Sequence, residues 1–251
     1  MPDGPDVIYS YDGSYEGFMC CVFESFEKRE IPGDIIGPEQ GQLTLFMPRQ
    51  IVTDEQKARR VMASIPLKID KEAPNFLRRA FLTCLPHKEK HMLDFMRKGY
   101  RVGAKIMNML QDATVHKLFK AVQNLGGEAH LLTGFLRFSI HGGVLVARIT
   151  PKNFVLPLLA PHFVDRYPNE KFIIYDKTHN TVLLHEPGRL DISSVETFTM
   201  PAPDEEERLF RELWKMFYDT IAVEGRTNHR CRMTHMPKRY WENMTEFAGY
   251  D

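Results

Sequence analysis

The sequence predicts an α+β fold: a small antiparallel sheet flanked by helices, with a mostly helical region in the first half. Three observations carry that expectation. Apolar residues recur at helical spacing through most of residues 14–125. The period then changes to that of strands between about 128 and 200, and an amphipathic stripe returns at 204–222.

Residues 7–11, Val-Ile-Tyr-Ser-Tyr, read as a short strand ending at the Asp12–Gly13 turn. Ser14 suits the cap of a helix that runs to about Lys28, with Phe18, Val22 and Phe26 on its inward face. Gly and Pro breakers make 31–50 an extended loop. Thr53-Asp54-Glu55-Gln56 is a capping box, Thr53 and Gln56 satisfying each other's backbone N–H groups, and it opens a helix to about Ser64. Helical stretches follow near 74–84 and 87–101, both dense in Lys and Arg. Val115, Leu118, Phe119, Val122 and Leu125 mark another helix, which Gly126-Gly127 is expected to stop.

From Ala129 to Ile140, the residues Leu132, Leu136, Phe138 and Ile140 lie two or four apart, as a strand requires. His141-Gly142-Gly143 turns the chain into a second strand, Val144–Ile149, giving a hairpin. Residues 155–167 are helical, with Pro157 and Pro161 starting or kinking the helix. Phe172–Tyr175 and Val182–His185 pair around a turn at Lys177–Asn180. Phe210, Leu213, Trp214, Phe217 and Ile221 define the helix at 204–222, whose acidic start, Asp204 to Glu207, suits the positive end of the helix dipole. No repeat occurs and no linker forces a boundary. The chain is therefore read as a single domain: a helical region at 53–126, a sheet-containing region at 128–200 joined by strand 7–11, and a C-terminal helix and basic tail at 204–251.

The 251 residues hold 33 basic and 33 acidic side chains, so the net charge is zero. That balance hides a segregation: 3 basic and 11 acidic residues in 1–56, but 13 basic and 4 acidic in 57–105. Either the basic stretch meets a polyanion or the acidic front folds against it. Four cysteines make no disulfide framework, no apolar run approaches the ~20 residues that span a bilayer, and no secretory pattern opens the chain. The expected compartment is the cytoplasm.

Several chemistries are excluded by their missing motifs. There is no P-loop, no Rossmann glycine fingerprint, no G-x-S-x-G elbow and no H-E-x-x-H helix. His229, Cys231 and His235 are sound ligand types, but their spacing fits no common finger, so neither a metal nor a cofactor is expected. The tail carries the clearest nucleic-acid signal. Arg226, Arg230, Arg232, Lys238 and Arg239 are followed at once by Tyr240 and Trp241, which pairs phosphate-neutralising cations with flat stacking surfaces. The alternative is that Trp241 anchors the tail and the charges are simply solvated. In the sheet half, His162, Asp165 and Arg166 share a helical face. They make either an acid–base or anion-binding cluster or a structural ion-pair network. His130, Arg137 and Asp176 sit near predicted element ends and join the candidates.

Six motifs taken together resemble a bacterial family of uncharacterised proteins assigned to DNA metabolism. They are Tyr9–Gly17, Glu128-Ala129-His130, Gly134–Phe138, His162–Arg166, Phe172–Asp176 and Met236–Trp241. The resemblance covers essentially the whole chain. It implies a role in DNA repair or modification beside a partner of the radical S-adenosylmethionine class, and a related domain fused to proteins similar to uracil-DNA glycosylases. It transfers no catalytic residue. Two functions are therefore expected: a DNA-binding accessory protein, with Arg137, Arg166 and the tail touching DNA, or an enzyme acting directly on damaged or modified DNA through His162, Asp165, Asp176 and His130.

Overall fold

The computed structural model describes residues 7–38, 47–199, 205–221, 233–244 and 247. The protein is α+β, and it divides into two compact units, Met1–Leu125 and Gly126–Asp251.

In the first unit, β1 (Ile8–Ser10), α1 (Tyr15–Glu27) and β2 (Asp34–Ile36) make a parallel crossover, and β3 (Arg49–Gln50) joins the other edge of β1. Both pairings are parallel. The expected loop at 31–50 thus holds two strands, each too short for alternation to be legible. Ser14 caps α1 by accepting from the Gly17 N–H at 2.9 Å. The expected capping box is replaced by a different arrangement. Asp54 caps α2 (Glu55–Lys68), accepting from the N–H groups of Gln56 and Lys57, while Thr53 donates its hydroxyl to Asp12 at 2.7 Å. The helix also continues beyond Ser64, through Pro66.

Next come α3 (Ala73–Phe81), α4 (Lys88–Val102), a 3-10 turn at Gly103–Asn108, and the start of α5 (Ala113–Phe135). Tyr9, Phe18, Met19, Leu77, Leu93 and Phe95 lie in the core of this unit. Part of the charge segregation is neutralised within it. Lys57 of the basic stretch meets Glu24 at 2.7 Å and Glu27 at 3.9 Å in the acidic front, while Arg97 donates to the neutral Ser25 hydroxyl at 2.9 Å.

α5 does not stop at Gly126-Gly127. Leu125, Ala129, Leu132 and Leu136 are buried at helical intervals, and the strand expected from Ala129 shrinks to β4 (Ser139–His141). Gaps of four residues fit both periods, and burial of a continuous helical face overrides the glycines' low propensity. After β4 come β5 (Val144–Ile149), α6 (Leu156–Arg166), β6 (Phe172–Asp176), β7 (Thr181–Glu186) and β8 (Arg189–Ser194), in the order β4-β5-β6-β7-β8. The expectation of an antiparallel sheet is corrected here. β5 and β6 are parallel, with Val146 opposite Ile173, because α6 carries the chain back across the sheet. β8, largely exposed and polar, is an edge strand that periodicity does not announce.

Strand 7–11, grouped in the sequence with the sheet region, pairs in the separate three-stranded sheet of the first unit. α7 (Glu205–Ile221) forms where expected, but Phe210, Leu213, Trp214 and Phe217 are exposed rather than packed away. Lys238–Asn243 forms a 3-10 helix. No helix among the described residues is long and apolar enough to cross a membrane.

Candidate functional site

In the second unit a groove of about 900 Å³ opens between the end of α5, the β4–β5 hairpin, the end of α6 and α7. Three candidates from the sequence meet there: Arg137, just beyond α5, and His162 and Arg166, one turn apart on α6. Arg137 donates to the Gly134 carbonyl at 2.8 Å, satisfying a free acceptor at the helix end, and its guanidinium lies 6.0 Å from the Trp214 ring centre. The Arg166 guanidinium lies 5.7 Å from the ring of Tyr167.

Phe138 holds the aromatic part of the groove together. Its ring meets Phe163 at 5.4 Å, Tyr167 at 5.5 Å and Phe172 at 5.9 Å, all edge to face. The strand-like spacing around Phe138 identifies it as apolar, but not as the neighbour of Arg137 in a cleft.

Sequence reasoning missed Glu207 and Arg211. The Arg211 Nε donates to Glu207 at 2.7 Å, its Nη2 donates to the Ser139 hydroxyl at 2.6 Å, and Glu207 accepts from the Ile140 N–H at 3.2 Å. Burial opposes ionisation of Glu207. The hydrogen bonds from Arg211, Ser139 and Ile140 outweigh it and hold the carboxyl below its ordinary range. A signal is present in the sequence, a Glu and an Arg four residues apart, but the acidic start of α7 reads there only as a complement to the helix dipole. Among the described residues the lining therefore carries three arginines and one carboxylate, Glu207, which pairs with Arg211. Cations and rings in one open cleft suit an anionic ligand with a flat ring system.

The tail is built differently. Tyr240 is 3% exposed and its ring packs 5.4 Å from Phe135. Arg239 lies 4.6 Å from the Tyr240 ring, hydrogen-bonds its hydroxyl, and pairs at 3.4 Å with Glu128. Glu128, 4% exposed, also accepts from the Lys152 N–H at 3.1 Å, the Asn153 N–H at 2.9 Å and the Asn153 Nδ2 at 2.6 Å. Trp241 stacks on Phe247 at 4.5 Å, gives its indole N–H to the Met236 carbonyl, and has Lys238 5.7 Å from its ring. Tyr240 presents no face to a ligand. Arg226, Arg230 and Arg232 lie outside the described residues.

The remaining candidates are dispersed. Asp176, wholly buried at the end of β6, accepts from the N–H groups of Thr178 and His179 and bonds the His179 Nδ1 at 2.7 Å, which locks the β6–β7 turn. Asp165 is exposed on α6 and does not line the groove. His130 is exposed on α5, where its carbonyl accepts from the Thr133 hydroxyl.

The fold and groove define an α+β protein with a cationic, aromatic cleft in its C-terminal unit. The chain belongs to the family described as domain of unknown function DUF4130, whose model matches residues 86–246, a span that holds the cleft, the Glu128–Arg239 pair and Trp241. No curated protein matches the sequence.

Proposed function

We propose that the protein is a DNA-binding accessory protein of DNA repair or modification, and that the cleft at Arg137, His162, Arg166 and Trp214 takes an unpaired stretch of the strand. The single observation supporting this is the meeting of Arg137 and Arg166 with half-exposed Trp214 and the Phe138–Tyr167 cluster in one opening. Cations there neutralise phosphates, while a ring offers a base a stacking surface. Direct catalysis by His162, Asp165, Asp176 and His130 has less support, since Asp176 is consumed by its turn and Asp165 and His130 lie off the cleft. The partner of the radical S-adenosylmethionine class enters this proposal through the motif resemblance alone.

The test is binding of single-stranded and duplex oligodeoxynucleotides across a salt series, read by anisotropy. Single-stranded DNA is expected to bind more tightly, and Arg137→Glu with Arg166→Glu to flatten its log–log salt slope by ~0.7 for each phosphate that is no longer neutralised. No affinity for either DNA at low salt, or a slope untouched by the double substitution, overturns the proposal.

A further inference from the structure

The first unit carries a cleft of its own, of about 560 Å³, with Phe23 and Phe26 of α1, Arg60, Ser64 and Lys68 of α2, and Tyr100 of α4 among its lining. Phe26 has the spacing of a core residue, yet it is 42% exposed. Its ring is braced edge to face by Tyr100, at 5.3 Å and 88°, and Arg97 sits 5.0 Å from its centre. Lys57 and Arg60 each lie 5.1 Å from the centre of the Phe23 ring. The Tyr100 and Ser64 hydroxyls share a hydrogen bond of 2.6 Å between these walls.

The charges narrow the occupant. Glu27 is the one carboxylate among the described residues lining the cleft, and it lies 3.9 Å from Lys57, which Glu24 also engages at 2.7 Å. Arg60 and Lys68, both exposed, have no carboxylate within ion-pair distance among the described residues. An apolar occupant would desolvate those two cations without compensation, and a simple inorganic anion would leave the rings unused. A ligand with a flat ring at one end and a phosphate at the other meets both demands.

We infer that this cleft binds a nucleoside phosphate, free or as one unit of a single strand, with the base against Phe26 and Phe23 and the phosphate at Arg60 and Lys68. The assignment is independent of the cleft in the second unit.

The experiment uses the full chain carrying Arg137→Glu and Arg166→Glu, so that the other cleft is silenced. Nucleoside 5′-monophosphates and oligodeoxythymidylate are titrated separately, and a 5-iodouracil-containing oligonucleotide is photocrosslinked and mapped by mass spectrometry. Binding is expected to survive in this background and to fall at least about tenfold with Arg60→Glu plus Lys68→Glu. A fall of about tenfold is expected with Phe26→Leu, which removes the ring but keeps apolar bulk, and crosslinks should map to Phe23, Phe26 or Tyr100. Response to the free nucleotide identifies a small-molecule ligand, and response to the oligonucleotide alone identifies a strand. No binding of either in this background, or binding indifferent to positions 26, 60 and 68, overturns the inference while leaving the other cleft's assignment standing.

Discussion

The tail at Lys238–Trp241 and the cleft around Arg137 are made of the same materials, arginine beside aromatic rings, and the fold uses them in opposite ways. In the tail, Arg239 meets buried Glu128, Tyr240 is enclosed and Trp241 lies against Phe247. In the cleft, Glu207 takes Arg211, and Arg137 and Arg166 line an opening with Trp214. A basic-aromatic string is thus not by itself a binding signal. In the tail the buried carboxylate meets the string's own arginine, Arg239; in the cleft it meets Arg211 of its own helix.

The largest expected effect breaks the clamp. Glu128 accepts from two backbone N–H groups and an amide besides pairing with Arg239, so Glu128→Ala strands several buried donors and one guanidinium. A loss of ~3–5 kcal/mol is expected by chemical denaturation. Arg166→Ala, an exposed side chain, should leave stability within ~0.5 kcal/mol. Equal effects at the two positions would erase the distinction between clamp and surface.

Much of the fold is legible in the sequence because its periods are local. The cap at Ser14, the helices near 74–84 and 87–101, the β6–β7 pair and α7 all follow from spacing within one element. The illegible parts depend on distant partners. Nothing near Arg239 announces Glu128, which lies on α5, and nothing in the acidic start of α7 announces that Arg211 reaches Ser139. Of the candidate site, Arg137, His162 and Arg166 are legible because they flank element ends. Arg211 is not, because its role emerges only when α7 is laid beside β4. Asp176 invites over-reading as a catalytic group, since an Asp before a turn most often caps that turn, as it does here.

The second effect sharpens the cleft side of the comparison and depends on pH. The Glu207 carboxyl titrates below its ordinary value of 4.5 in the folded protein. Its contribution is therefore fully present above the unfolded-state value and is lost as pH falls through the depressed folded value. Glu207→Gln is expected to cost ~1.5 kcal/mol near pH 7. That gap between variant and wild type should close as pH is lowered below about 4.5, measured by denaturation at successive pH values. A gap that stays constant with pH would mean that the carboxylate charge does not hold Arg211 in the cleft wall.

The smallest effect concerns the helix from which both clusters hang, since the last turns of α5 carry Glu128 toward the tail and end two residues before Arg137. Gly127 lies inside that helix, and a β-carbon built there meets nothing within 4 Å. Alanine at this position removes backbone freedom from the unfolded chain without a steric cost in the folded one. Gly127→Ala is therefore expected to stabilise the protein by ~0.5–1 kcal/mol and to leave the proposed DNA binding unchanged. Were 126–127 instead the helix stop that the paired glycines suggest, a left-handed backbone there would make alanine destabilising. The sign of this one small change thus distinguishes an α5 that continues through 126–127 from one that stops there.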